Sequence, residues 1–139
     1  MKIGFMGSGA IAEILSQKMT ASGAADPKNI FIYDVSKERL SYMSGKYGLT
    51  ACETPAEMIA GADYVFMCVR SDNAIDMAKT LGAYSFEGKT IVSISSGIPM
   101  ALYEKNVPGA HVARALPNPP SRIGHGVVAV AFNGKVTEA

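Results

Sequence analysis

Only two cysteines and two histidines occur among the 139 residues. Two cysteines cannot staple a disulfide-dense scaffold. Cys52 and Cys68 both fall in apolar, strand-like runs, where two buried free thiols are expected. His111 opens a strand and His125 lies between Gly124 and Gly126 in a loop; neither has a partner at ligand spacing, so no metal site is expected. No G-x-S-x-G elbow and no cysteine–histidine pairing marks a nucleophile. Charge is sparse and balanced: 18% of residues are charged, the formal net charge is +1, and lysine and arginine form no cluster. That balance argues against nucleic acid or an anionic membrane surface as a partner. No apolar run approaches the ~18 residues needed to cross a bilayer. No basic and apolar leader precedes the first strand, so the expected compartment is the cytoplasm. Repeats, low-complexity stretches and linkers are missing as well, and residues 1–139 read as one domain.

What the chain does have is a 48% hydrophobic content arranged as alternating strands and helices. A first strand at 2–6 leads into a helical pattern of Ile11, Ala12, Ile14, Leu15 and Met19, stopped at Gly23. A strand at 30–33 precedes a helix capped by Ser36 and ending near Gly48; a short strand spans 49–52. Thr54-Pro55-Ala56-Glu57 reads as a capping box, with Thr54 the cap and Glu57 reaching back to the cap amide. The continuous apolar run at 64–69 has the character of a central parallel strand covered on both faces. A helix over 72–81, a strand at 90–95, a short helix from about Pro99, and strands at 112–116 and 127–132 complete the series. Repeated strand–helix units imply an α/β fold with a doubly wound parallel sheet. The eight methionines scatter over helix and strand faces and are expected to fill core.

The most informative stretch is Gly7-Ser8-Gly9-Ala10-Ile11-Ala12, a G-x-G-x-x-A turn set between a strand and a helix. In that context Gly7 permits the tight turn and the bare Gly9 lets backbone touch a pyrophosphate. Ala12 allows close helix–strand packing, and the helix N-terminus offers free N–H groups. Asp34 ends the second strand 22 residues after Ala12, near the spacing of a ribose-binding carboxylate. A purely structural corner is the competing reading of the turn, and a cap on the next helix is the competing reading of Asp34.

Ligands of open parallel sheets sit beyond the carboxyl ends of the strands. The candidate cofactor-binding residues are therefore Met6, Gly7, Ser8, Gly9, Ala10, Ile11 and Ala12, then Asp34 and Ser36. Val69, Arg70 and Ser71 follow, then Ser95, Ser96 and Gly97, and finally Asn118 in a stiff loop with Pro117, Pro119 and Pro120. Arg70 reads equally as a solvated strand-end charge, Ser95-Ser96-Gly97 as a plain turn, and the proline loop as a structural corner. No residue is assigned as a catalytic acid or base.

Taken together these segments resemble the N-terminal domain of the pyrroline-5-carboxylate reductase family. The resemblance rests on Ile3 to Gly9 with Ala12-Glu13, Tyr33-Asp34 with Glu38-Arg39-Leu40, and Lys46-Tyr47-Gly48. It continues through Ala62-Asp63, Val69-Arg70, Ser93-Ile94 with Gly97-Ile98, and Arg114-Ala115-Leu116-Pro117-Asn118, the most diagnostic stretch. It implies a Rossmann-like domain that binds NADP or NAD and delivers hydride to the cyclic imine of pyrroline-5-carboxylate in proline biosynthesis. It also implies a full-length protein roughly twice as long, whose helical C-terminal domain, absent here, forms a homo-oligomer and completes the substrate pocket. Thr137-Glu138 is read as the start of the helix entering that domain. Family positions usually held by other residues carry Ala10-Ile11, Pro55, Arg70-Ser71, Ser95-Ser96 and Pro119 in this chain. A non-catalytic dinucleotide sensor, or reduction of another substrate, are the alternative readings. For cofactor choice, Asp34 favours a free ribose hydroxyl. The resemblance favours NADPH, with Ser36, Lys37 and Arg39 available to cradle a 2′-phosphate if they reach back.

Overall fold

Alternation of burial along each strand shows how the sheet is built. Ile3 and Phe5 of β1 (Ile3–Met6) are buried on one face with Ile30 and Ile32 of β2 (Ile30–Tyr33). Met6 points to the other face, with Val65 and Met67 of β4 (Tyr64–Met67). The period of two that separates these sets is that of a strand buried on both sides. In this computed structural model, which describes residues 1–118, 120 and 123–136, seven strands form one sheet in the order β3-β2-β1-β4-β5-β6-β7. The remaining strands are β3 (Thr50–Ala51), β5 (Thr90–Ser93), β6 (His111–Pro117) and β7 (Val128–Phe132). Of the expectations named above, Pro119 and Thr137-Glu138 lie outside the described residues, as does the side chain of Ser71.

All pairings are parallel except β6 with β7, which is antiparallel. That departs from the fully parallel sheet expected from the strand–helix alternation. About ten residues join β6 to β7, fewer than the dozen or more that a parallel crossover needs, so the chain turns back on itself. β7 is exposed along its whole length.

Helices cover both faces. α1 (Ala10–Ala21) and α2 (Lys37–Tyr47) close over Ile3, Phe5, Ile30 and Ile32 through Ala12, Leu40 and Met43. On the other face α3 (Pro55–Gly61), α4 (Ser71–Thr80) and α5 (Met100–Asn106) contribute Met58, Ala74, Ala78 and Tyr103. Met6, Met43, Met58 and Met67 are fully buried, as expected of core filler. The local signals place the helix ends closely. Ser36 Oγ accepts from the Arg39 amide at the start of α2, and Gly48 closes it in the left-handed conformation. Thr54 Oγ1 accepts from the Glu57 amide, as a capping box requires, but the Glu57 carboxylate accepts from the amide of Glu53 rather than that of Thr54.

Candidate functional site

The strand order reverses between β1 and β4, so the first connections leave their carboxyl ends in opposite directions and open a crevice there. Two adjoining clefts occupy it. The larger, about 530 Å³, lies between the ends of β1 and β2 and the length of α4 as far as Thr80. The smaller, about 270 Å³, lies toward the end of β5. They share Gly9, Cys68, Val69 and Arg70 and so form one groove across the tip of β1.

The two glycines of the turn differ in role. Gly7 has φ +98°, and a Cβ there would sit 2.9 Å from the backbone carbon and oxygen of Cys68. Its bareness is a condition of folding, since β1 and β4 could not otherwise end side by side. Gly9 is extended, with φ −70° and ψ −171°, and caps α1 without any side-chain hydrogen bond. A Cβ there would meet nothing within 4 Å. The first-turn amides of α1 consequently face the groove, with the positive end of the helix dipole behind them. This open backbone cradle has the shape and polarity that a pyrophosphate requires.

Between the glycines, Ser8 is fully buried and doubly anchored. Its amide and hydroxyl donate to Asp34 Oδ2 at 2.7 and 2.9 Å, and its carbonyl accepts from Arg39 Nε and Nη2 at 3.1 and 2.7 Å. Asp34 Oδ1 accepts from the Ser36 amide at 2.9 Å. Burial pushes the Asp34 carboxyl up, but these hydrogen bonds and the Arg39 charge outweigh it and hold it below its ordinary value. The carboxylate thus braces the glycine turn, a role that neither of its sequence readings anticipated. Arg39 does reach back from α2, and it does so to the turn itself.

The same guanidinium meets Glu13 of α1 at 3.0 Å. Tyr47 and Tyr42 hydroxyls donate to Glu13 Oε1 at 2.6 and 3.1 Å, and Lys46 lies over both tyrosine rings. This cluster pins α2 against α1 directly behind the turn. The Tyr47 hydrogen bond, with help from Arg39 and Tyr42, holds the Glu13 carboxyl down at about 2 against an ordinary 4.5. A depressed carboxylate contributes stability above its unfolded pKa and loses it as pH falls through the folded one. Glu13→Gln is therefore expected to lower unfolding free energy at pH 7 by about 1 kcal/mol, solvent screening keeping the figure modest. Urea titrations should show the gap between parent and variant shrinking below pH 4.5 and nearly closing near pH 2. A gap that widened with acid would contradict the assignment.

The candidate residues divide by where they fall around the groove. Met6, Gly7, Gly9, Asp34, Val69 and Arg70 line the larger cleft; Ala10, Ile11, Ser95 and Ser96 line the smaller one. Ser8 and Ala12 lie buried beneath the turn. Ser36, Gly97 and Asn118 border neither cleft. Ser36 caps α2, Gly97 is an exposed turn at φ +77°, and Asn118 Oδ1 accepts from the Val127 amide across its loop. Ser71 opens α4 through its backbone. Ser95 Oγ donates to the Val69 carbonyl at 3.1 Å and joins the two strand ends. Arg70 is solvated and makes an exposed ion pair with Asp72. Asn73, Asp76, Met77 and Thr80, all on α4, also line the larger cleft and were missed as site residues. Their helical spacing puts them on one face, yet the sequence does not say that this face looks into a groove.

Cys68, at the junction of the clefts, is a free thiol pushed well up by burial. Cys52 is also free, and burial raises it to about 11. Among the described residues no three His, Cys, Asp or Glu side chains gather as a metal site, and no helix is long and apolar enough to cross a membrane. Arg114 of β6 carries an Nε that is buried without a hydrogen-bond partner among the described residues.

A mostly parallel sheet with its order reversing at a glycine turn defines a Rossmann-like fold of the dinucleotide-binding class. The chain belongs to the NADP oxidoreductase, coenzyme F420-dependent family, which it matches over residues 2–97. It is similar to pyrroline-5-carboxylate reductase 3 of Danio rerio, 30% identical over an alignment of 139 positions that covers 99% of this chain and 48% of the relative. Among solved structures it superposes on a pyrroline-5-carboxylate reductase from Coxiella burnetii with a TM-score of 0.90 at 24% identity, over 99% of this chain and 51% of that one. A Plasmodium falciparum pyrroline carboxylate reductase with NADP bound gives 0.84 at 22% identity, covering 99% and 50%. The chain spans about half the length of the relatives it matches.

Proposed function

We propose that this chain is the cofactor-binding part of an NAD(P)-dependent oxidoreductase of the pyrroline-5-carboxylate reductase type. Its substrate would be the cyclic imine of proline biosynthesis in the cytoplasm. The observation that carries the reading is the open cradle at Gly9, flanked by clefts on both sides of the β1 tip. The first-turn amides of α1 would hold the pyrophosphate, the larger cleft with Asp34, Asn73 and Met77 the adenosine, and the smaller cleft with Ala10, Ile11, Ser95 and Ser96 the nicotinamide. The bound cofactor supplies the hydride, and the protein supplies binding, orientation and exclusion of water. Among the described residues the titratable groups lining the smaller cleft are Cys68 and Arg70, neither suited to protonate the product nitrogen. The acid would come from a helical half like that implied for the family, through which the full-length protein would assemble as a homo-oligomer. That missing acid also suits a second reading, a module that senses dinucleotides without catalysis.

Calorimetric titration of the chain with NADH and NADPH tests the shared core of both readings. Saturable one-to-one binding of at least one, competed by ADP-ribose, is expected. Binding of neither would overturn the assignment.

A further inference from the structure

We infer that β7 is a self-association edge. Two copies of this chain pair β7 with β7, antiparallel about a two-fold axis at Val130, and join their sheets into one. β7 ends the strand order, so among the described residues one of its sides has no partner. The opposite edge is blunted, because β3 is only two residues long. β7 has none of the usual protections of an edge. From Gly126 to Asn133 the sequence holds no charged residue and no proline. Val128, Val130 and Phe132 are 46%, 59% and 58% exposed. An apolar, uncharged edge of this kind is a template for a further strand.

The backbone and the side chains both point to a second copy as that strand. The Asn133 amide donates to the Val112 carbonyl at 2.9 Å, so Asn133 turns its polar groups toward β6. Alternation in the antiparallel ladder then turns Ala131 and Ala129 to their β6 partners Arg114 and Leu116. The N–H and C=O groups of Val128, Val130 and Phe132 are left directed outward. The segment Val128-Ala129-Val130-Ala131-Phe132 alternates large and small, and the pattern is the same read in either direction. Antiparallel pairing about Val130 sets that residue opposite itself, Val128 opposite Phe132 and Ala129 opposite Ala131. Each outward N–H then meets an outward C=O, and the large residues of both copies fall on one face. No charge on either strand opposes the approach.

That face is the one the helices leave bare. Val128, Val130 and Phe132 pair with Pro117, Ala115 and Ala113 and so share their side of the sheet. There Val92, Ala113 and Ala115 cluster with Phe66 and Ile94, and no helical residue joins them. The second copy covers the flanks of the exposed side chains with their cross-strand counterparts, which removes apolar surface from water. A two-fold pairing consumes the edge in both copies, so association stops at the dimer.

Sedimentation of the chain from about 1 μM to about 1 mM tests this, because an interface below about 1,200 Å² belongs to the weak, transient class. A reversible dimer at twice the 14.6 kDa of one chain is expected. Exchange of the Val128, Val130 and Phe132 amides should slow as concentration rises. Val130→Lys and Val130→Glu should each melt like the parent, since the position is solvated. Each should weaken its own dimer at least about tenfold by setting like charges opposite one another. Because the residue on the axis meets itself, mixing the two variants should restore a mixed dimer. A monomeric parent at every concentration, or amide exchange indifferent to concentration, would overturn the inference and leave the edge to a strand of another chain. A dimer untouched by both variants, one not restored by mixing them, or assembly beyond two copies would overturn it as well.

Discussion

Gly9→Val is expected to abolish dinucleotide binding while leaving the fold in place. The position is extended, a conformation any residue adopts, and its Cβ direction is empty. A valine there costs at most about 1 kcal/mol through the weaker N-cap. Its methyl groups would occupy the space in front of the first-turn amides, so affinity should fall by at least about a hundredfold, some 2.7 kcal/mol. Gly7→Ala is the matched contrast. It combines a left-handed backbone with a methyl group 2.9 Å from the Cys68 backbone. It should lower stability by about 3 kcal/mol or more, the sum of conformational strain and steric displacement. Thermal melts beside NADH titrations separate the two effects. Parent-like binding by Gly9→Val would move the cofactor site away from this turn.

The second large effect is on turnover. This chain alone should reduce pyrroline-5-carboxylate at least several hundredfold more slowly than a full-length relative such as the Danio rerio reductase. The smaller cleft, where the nicotinamide would lie, is about 270 Å³, and among the described residues no Asp, Glu or His lines it. Positioning of two reactants is worth about 7–11 kcal/mol, and loss of half of it alone gives this factor at about 1.4 kcal/mol per tenfold. Following NADH and NADPH oxidation by both proteins at equal concentration checks it. Comparable rates would place the whole active site within residues 1–139.

Strand–turn–helix placement was legible because it is written locally. The apolar run before Gly7, the caps at Ser36 and Thr54 and the stop at Gly48 act over a few residues and need no distant partner. The turn could be singled out for the same reason, since glycine spacing and the following helix are adjacent in the chain. The direction of β7 was less accessible, because strand character is the same in both directions and only the length of the connection hints at it. Arg39 could be suspected from its place one turn into α2, but not its target, the carbonyl of Ser8, 31 residues away.

By itself, then, the sequence determined which segments are strands and helices, where the glycine turn lies, and that Asp34 ends the second strand. Periodicity and capping settle those matters through neighbours along the chain. Only the tertiary structure decided that Asp34 braces Ser8, that α4 lends Asn73 and Met77 to the groove, and that Gly7 serves folding while Gly9 faces open space. Those distinctions depend on which backbone passes within about 3 Å of which side chain once the sheet is assembled, and contacts between strands far apart in sequence leave no local periodicity to read.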